Sequence, residues 1–210
     1  MLVLYYAPDT CALATHIALE DAGAEYDLRR IDFKKQEQRA LDYLAINPKG
    51  RVPALACTQG ILTETPAMLA YVAQLHPEAH LAPLDDPFAF AQLQAFNSYI
   101  CSSLHVAHAH RMRGDRWVDD EGAITAMQRK VPVSVGACYA YIEEHEFAGP
   151  FVMGESYTIA DPYLFTLFQW IEEDGVDPTE FPKIVAHREM MLQRKPVQTA
   201  LREELKGARA

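Results

Sequence analysis

The spacing of hydrophobic residues changes once along the chain, and this change constrains the fold more than any other feature. Up to residue 76, short apolar runs alternate with helical spacing, as in Leu2–Tyr6, the helical stretch from Cys11, and Tyr26–Ile31. A strand, a helix and a second strand in this order predict a parallel pair with a right-handed crossover. From residue 88 onward the spacing is helical throughout. The chain is therefore expected to form an α/β domain followed by an all-helical one.

The remainder of the first domain predicts a hairpin and two helices. Residues 37–44 suggest a short helix, and Val52–Cys57 and Gly60–Thr63 flank a turn that makes them antiparallel neighbours. A further helix opens at Thr65-Pro66. The predicted order is βαβαββα, which gives a mixed four-stranded sheet because the hairpin adds antiparallel strands to a parallel pair.

These patterns divide the chain into a first domain over 1–77, a proline-rich linker over 78–87 and a helical domain over 88–210. Pro132 lies inside one of the helical stretches and is expected to kink or interrupt it. The helical stretches of the second domain are Phe88–Arg113, Glu121–His145, Thr158–Glu173, Phe181–Arg194 and Val197–Leu205.

Composition excludes several classes of protein. Half of the 210 residues are apolar, which is too many for a disordered chain, and a net charge of −10 argues against a nucleic-acid partner. No apolar run of about 18 residues predicts a membrane span, and the N-terminus lacks the basic start of a signal peptide. The four cysteines form no C-x-x-C pair. They indicate thiols in a reducing compartment, so we expect a cytoplasmic protein with no membrane partner.

Cys11 is the first candidate for chemistry, because it follows a strand and a turn and stands at the start of a helix. The amides and the dipole of a helix start stabilise an anion, which lowers the pKa of a thiol placed there. The spacing from Cys11 to Ala14 resembles a thioredoxin C-x-x-C whose second cysteine is replaced. A mixed disulfide at Cys11 then has no internal thiol to resolve it. The alternative is a buried, unreactive cysteine.

Two further features of the first domain suit an extended ligand with an amino-acid end. A cis Val52–Pro53 bond would turn the Val52 backbone outward to pair with a peptide, whereas an ordinary trans edge proline is the alternative. Thr65 is a good N-cap before Pro66, and this helix start suits a carboxylate, with Glu64 beside it for an ammonium group. The alternative is a well-formed helix start that binds nothing.

Taken together, these features make the chain resemble a cytosolic glutathione transferase over essentially its whole length. The segments that carry the resemblance are LYYAPDTCALATHIAL, AINPKGRVPAL, LTETPAMLAYVA and GESYTIADPYLFTLFQW. The last resembles the family's fold-nucleating motif, and we expect Thr158 and Asp161 to hold its helix in a capping box rather than to bind a ligand. The resemblance implies a thioredoxin-like first domain, a helical second domain, a role in detoxification, and a homodimer with helices from residue 88 onward at the interface.

Within the family, the chain is most similar to the bacterial beta class. That class has a cysteine at the place of Cys11, and its histidine in the second domain matches His105. The resemblance implies that Tyr5 supports the thiol chemistry and that an apolar electrophile enters near His108 and Met112. We expect the glutathione contacts to be made by Lys35, Arg51, Val52, Pro53, Glu64 and Thr65.

The chain departs from the class pattern at several positions. Val106 stands where the class has a lysine, and Pro66 follows the residues expected to bind the ligand. The asparagine that the class contributes from the partner subunit aligns on Ser98, with Asn97 adjacent. These departures leave the contacts at 97, 98 and 106 open.

A metal site is not expected. Cys101, His105 and His108 share one helix face, but the first and last lie about 10 Å apart along the axis. A zinc ion with bonds of about 2 Å does not easily join both ends.

The function we expect is therefore a glutathione transferase that activates the glutathione thiolate for attack on an apolar electrophile, with glutathione as co-substrate. A thiol–disulfide oxidoreductase that passes through a Cys11 mixed disulfide is the first alternative. A non-catalytic glutathione-binding or regulatory module is the second.

Overall fold

Two compact units divide the chain in a computed structural model that describes residues 1–208, with side chains described up to Glu204. The first unit joins Met1–Phe90 to the segment that starts at Met191, and the second is Ala91–Met190. This division differs from the sequence boundaries, which place everything from residue 88 in one helical domain. Hydrophobic spacing predicts that a C-terminal helix exists, but it does not tell which surface that helix covers.

The sheet of the first unit has four strands in the order β2-β1-β3-β4. β1 runs parallel to β2 and antiparallel to β3, and β4 runs antiparallel to β3. This confirms the mixed sheet predicted from the βαβ unit and the hairpin. The strands are β1 (Leu2–Tyr6), β2 (Tyr26–Arg30), β3 (Ala54–Cys57) and β4 (Gly60–Thr63).

Helices make up most of the remaining structure. Two π-helical segments, Ile100–Leu104 and Ile142–Glu146, continue α4 and α6. Single 3₁₀ turns precede α2 at Glu37–Arg39 and follow α3 at Pro77–Ala79. The α-helices in chain order are α1 (Ala12–Asp21), α2 (Leu41–Ile46), α3 (Thr65–Leu75), α4 (Pro87–Tyr99), α5 (His105–Met112), α6 (Glu121–Tyr141), α7 (Ala160–Phe168), α8 (Pro182–Gln193) and α9 (Lys195–Ala208).

The C-terminal helix α9 belongs to the first unit because it packs on α1, which also packs on α3. The Arg194 guanidinium, just before α9, lies 2.6 Å from the Asp21 carboxylate at the end of α1. Inside the same contact, His16 Nδ1 lies 3.9 Å from Glu204 Oε1, and burial raises the pKa of the Glu204 carboxyl. Apolar burial and the Arg194–Asp21 ion pair together hold α9 on α1.

Helix α7 forms the centre of the second unit, and each of its residues is buried. Half of the capping box predicted at its start is present: Asp161 reaches back to the Thr158 amide, but the N-cap position falls on Ile159 and the Thr158 hydroxyl bonds the Ala160 amide instead of the Asp161 amide. The Asp161 carboxylate accepts the Thr158 amide at 2.7 Å, and Thr158 Oγ1 accepts the Ala160 amide at 3.3 Å. Asp161 also accepts the Val152 amide at 2.9 Å and lies 3.0 Å from His187 Nε2. One carboxylate therefore fixes α7, the preceding loop and α8.

The structure shows no interruption of the helix at Pro132, one of the two outcomes expected there, and it divides the stretch expected from Phe88. Helix α6 runs through Pro132 without interruption. Pro132 and residue 128 are both exposed, so the carbonyl that loses its helical partner there can face solvent. The stretch expected as a single helix from Phe88 is instead divided by the π-helical segment after α4. Among residues 1–208, no helix has the length and apolar character to span a membrane.

Candidate active site

Cys11 lies directly before the first residue of α1, and the preceding loop fixes its position. Thr10 Oγ1 donates to the Ala7 carbonyl at 2.7 Å and accepts the Ala12 amide at 3.3 Å. The Thr10 carbonyl in turn accepts the Leu13 amide at 3.2 Å. Thr10 therefore acts as the cap of α1, and the Cys11 thiol lies buried at a helix start, where anions are stabilised.

The two tyrosines at the end of β1 point to opposite sides of the sheet, as alternation along a strand requires. Tyr6 is buried, whereas Tyr5 is half-buried with its ring centroid 5.9 Å from that of Tyr43. Tyr5 is thus the more exposed tyrosine of the pair.

The loop before β3 is anchored through a single carbonyl oxygen. The Arg51 carbonyl accepts the Tyr43 hydroxyl at 2.7 Å and the amide of the buried Asn47 at 2.6 Å. Burial raises the pKa of Tyr43 to about 12. The Val52–Pro53 bond is cis, the first of the two alternatives that the sequence left open. The strand ladder starts at Ala54, which leaves Val52 outside it.

Glu64 has a backbone conformation that is rare for a residue with a side chain. Its φ is +73°, and it occupies the N-cap position of α3. The residue preference of Thr65 predicts an N-cap there, but Thr65 is the first helical residue, because the break from helical geometry falls at Glu64. Strained residues of this kind persist where the surrounding structure enforces them, most often at ligand sites. The half-exposed Glu64 carboxylate stands beside the buried Thr65.

Strand register brings the two ligand-binding segments together. Ala54 pairs with Thr63, so the residues just outside this pair, Pro53 and Glu64, are neighbours at the same end of the hairpin. The two basic residues expected to contact glutathione, Lys35 and Arg51, both have exposed side chains. Lys35 lies 3.6 Å from the Asp32 carboxylate.

The second unit carries the other residues predicted for the site. His105, the first residue of α5, is half-buried, with its ring centroid 5.7 Å from that of Trp170. His108 is buried, with one ring nitrogen bonded to Asp174 and the other 3.0 Å from the Tyr139 hydroxyl. His108 therefore has no ring nitrogen to offer an electrophile. Met112 is 73% exposed at the end of α5.

Residues 97 and 98, where the contacts were left open, lie on α4. Asn97 is buried, and Ser98 is exposed. Within residues 1–208, no three His, Cys, Asp or Glu side chains are placed to hold a metal ion.

Comparison with known proteins identifies the family. The model of the glutathione S-transferase N-terminal domain matches residues 1–74, and that of the C-terminal domain matches residues 123–195. An Escherichia coli O157:H7 protein named glutathione S-transferase GstA is 33% identical over 204 residues, which cover 96% of this chain and 98% of that protein. The chain belongs to the glutathione S-transferase family.

Solved structures of the family have the same fold. A glutathione transferase homologue from Sulfitobacter, solved with bound glutathione, is 45% identical with a TM-score of 0.94 and covers 97% of this chain and 98% of its own. A bacterial beta class glutathione S-transferase from Sphingomonas chungbukensis is 30% identical with a TM-score of 0.84, covering 96% and 98%. These similarities confirm the family and the fold that were expected from the sequence.

In this glutathione S-transferase, the structure adds a residue that sequence reasoning missed. The Lys49 ammonium contacts the Glu64 carboxylate and donates to Thr63 Oγ1 at 2.8 Å. Lys49 is 15 residues away from Glu64 in the chain, and only the hairpin brings them together. One feature of the sequence could have indicated Lys49: it lies in the turn just before Val52, and Val52 is expected to contact the ligand.

Proposed function

We propose that this protein binds glutathione in its first unit and activates the glutathione thiolate for attack on an apolar electrophile. The observation that carries the proposal is the Glu64–Thr65 corner. The positive φ of Glu64 and the start of α3 place a carboxylate beside the N-terminus of a helix, where backbone amides and the helix dipole favour an anion. A γ-glutamyl group, with an ammonium and a carboxylate on one carbon, matches that pair of charges. The glutathione bound in the Sulfitobacter homologue supports this ligand.

The remaining residues would act along an extended tripeptide. The Val52 backbone, which the β3 ladder leaves outside, would pair with the peptide, with Arg51 or Lys35 near its far carboxylate. The thiol would lie near Cys11 and Tyr5. The helix start at Cys11 and its hydrogen bonds would favour the thiolate, which is the nucleophile. His105 would assist at the sulfur, and Met112 would contact the electrophile. We further propose that the protein works in the cytoplasm as a homodimer.

A glutathione titration with a matched pair of variants tests the binding site. Glu64→Gln removes the charge opposite the ligand ammonium, so glutathione affinity measured by calorimetry should fall about tenfold or more. Glu25→Gln changes an exposed glutamate just before β2 and should leave affinity unchanged. A glutathione analogue acetylated on the γ-glutamyl nitrogen should bind both variants equally weakly. Unchanged affinity in Glu64→Gln would contradict the assignment of this corner.

The position of Cys11 also favours a second activity, thiol–disulfide exchange. A thiolate at a helix start can attack a glutathione mixed disulfide, take the glutathionyl group and release the other thiol. A second glutathione would then attack the Cys11 disulfide, release the Cys11 thiolate and leave as glutathione disulfide. The conjugation and exchange activities differ in whether the Cys11 sulfur forms a bond.

A further inference from the structure

Helix α5 carries two histidines and an arginine on one face. His105, His108 and Arg111 follow one another at intervals of three residues, which keeps them on neighbouring positions of the helix surface. Only His105 enters the proposed function. The other two meet a short segment that follows α7, over Trp170 to Asp174.

His108 belongs to a buried charged cluster. Its side chain is 4% exposed and that of Asp174 is 1% exposed, and the two are hydrogen-bonded. Arg111 Nε lies 2.9 Å from the other Asp174 oxygen, and the Arg111 guanidinium also lies 2.6 Å from Glu173. The Tyr139 hydroxyl lies 3.0 Å from the second ring nitrogen of His108. A buried carboxylate and imidazole with this many partners hold one fixed geometry, because moving either leaves a charge unpaired.

The indole of Trp170 links this cluster to His105. Its centroid lies 5.5 Å from that of His108 in an edge-to-face arrangement and 5.7 Å from that of His105. The Asp174 amide bonds back to the Trp170 carbonyl at 3.2 Å. The same turn therefore supplies the carboxylate that fixes His108 and the ring that lies against His105.

We propose that His108 is a positioning residue: anchored by Asp174 and Tyr139, it supports the Trp170 indole, and the indole in turn fixes the His105 ring. This inference rests on the proposed function, in which His105 assists at the glutathione sulfur. Exact placement of an assisting group governs the rate, since a displacement of about 1 Å can reduce turnover about a hundredfold. His108 would therefore affect the rate through the position of His105, without touching the ligand itself.

His108→Asn is the variant that isolates this role. The Asn amide can still donate to Asp174 from near the place of the imidazole Nδ1, so the buried carboxylate keeps a partner. The shorter side chain no longer supports the indole or reaches Tyr139. His110→Asn, on the same helix and in contact with Trp117 rather than Trp170, is the matched control.

The measurement is a double-mutant cycle with chlorodinitrobenzene as the electrophile. His108→Asn should lower kcat about tenfold, with KM for glutathione unchanged, and should cause no further loss in a His105→Ala background. His110→Asn should change neither parameter. An equal loss in both backgrounds would mean that His108 is only structural and would overturn the proposal.

A second readout does not depend on turnover. Nuclear Overhauser contacts between the His105 and Trp170 rings should be present in the wild type and weakened in His108→Asn. Retained contacts would overturn the proposal even if activity fell. If His105→Ala has full activity, the catalytic role of His105 fails, and the ring contacts still decide whether His108 positions it. Trp170→Phe replaces the indole that lies against His105 with a smaller ring, so it should lower kcat in the same way. This variant tests the proposal if His108→Asn does not fold.

Discussion

At the scale of single residues, the Cys11 thiol separates conjugation from disulfide exchange. Replacing it in Cys11→Ala removes the sulfur that would carry the glutathionyl group, so exchange should fall to the uncatalysed rate. Conjugation should persist, because the helix start and its amides remain. The two rates and the mass of any mixed disulfide are the measurements. Cys57→Ala, at a half-exposed thiol that donates to the Gly60 carbonyl, should leave both rates unchanged. If both activities persist in Cys11→Ala, the role proposed for Cys11 is wrong.

Residues that belong to a local pattern were predictable from sequence, and residues that act through the tertiary fold were not. Cys11, the cis proline and Glu64 each lie in a short motif that indicates its own chemistry. The contact of Lys49 with Glu64 needs the hairpin register, and the engagement of His108 needs a segment 66 residues further along the chain. Spacing on α5 suggested that His108 lies beside His105, but it could not show that both His108 nitrogens are already bonded.

At the scale of helices and strands, the start of α7 is the strongest local determinant. Asp161→Ala leaves the amides of Thr158 and Val152 and the His187 ring without their buried partner, so unfolding free energy should fall by about 3 kcal/mol or more. Asp120→Ala, which removes an exposed cap of α6, should reduce it by about 1 kcal/mol. Chemical denaturation of both variants measures the difference. Equal losses would show that the buried network adds nothing beyond an ordinary cap.

The predicted helices and strands follow the same division between local and long-range causes. Strand and helix positions follow from spacing, because alternation and helical periodicity are local properties of the chain. The unit to which α9 belongs does not follow from spacing, because it depends on Arg194 meeting Asp21, which is 173 residues away. The N-cap of α3 shifted by one residue for a related reason: the side-chain preference of Thr65 yields to the backbone conformation imposed on Glu64.

At the scale of the whole molecule, the net charge has the wrong sign to attract the proposed ligand. The chain carries a net charge of −10, and glutathione is an anion, so long-range attraction does not favour binding. Affinity has to come from short-range groups. Helix starts at Cys11 and Thr65 supply some, and Lys49 and Arg51 supply positive charge within the loop before β3. We therefore expect glutathione affinity to depend weakly on salt, since short-range contacts are little screened.

Assembly is the property of the whole molecule that a single surface residue can test. Phe88, at the start of α4, is 74% exposed, and the proposed homodimer has its interface on the helices from residue 88 onward. If α4 lies in a homodimer interface, Phe88→Asp places a charge there on both subunits and should convert the dimer into a monomer in light scattering after size exclusion. Leu41→Asp, at an 85% exposed residue of α2, is the control and should stay dimeric. A monomeric wild type would contradict the homodimer. A Phe88→Asp variant that stays dimeric would show that the start of α4 is not part of the interface.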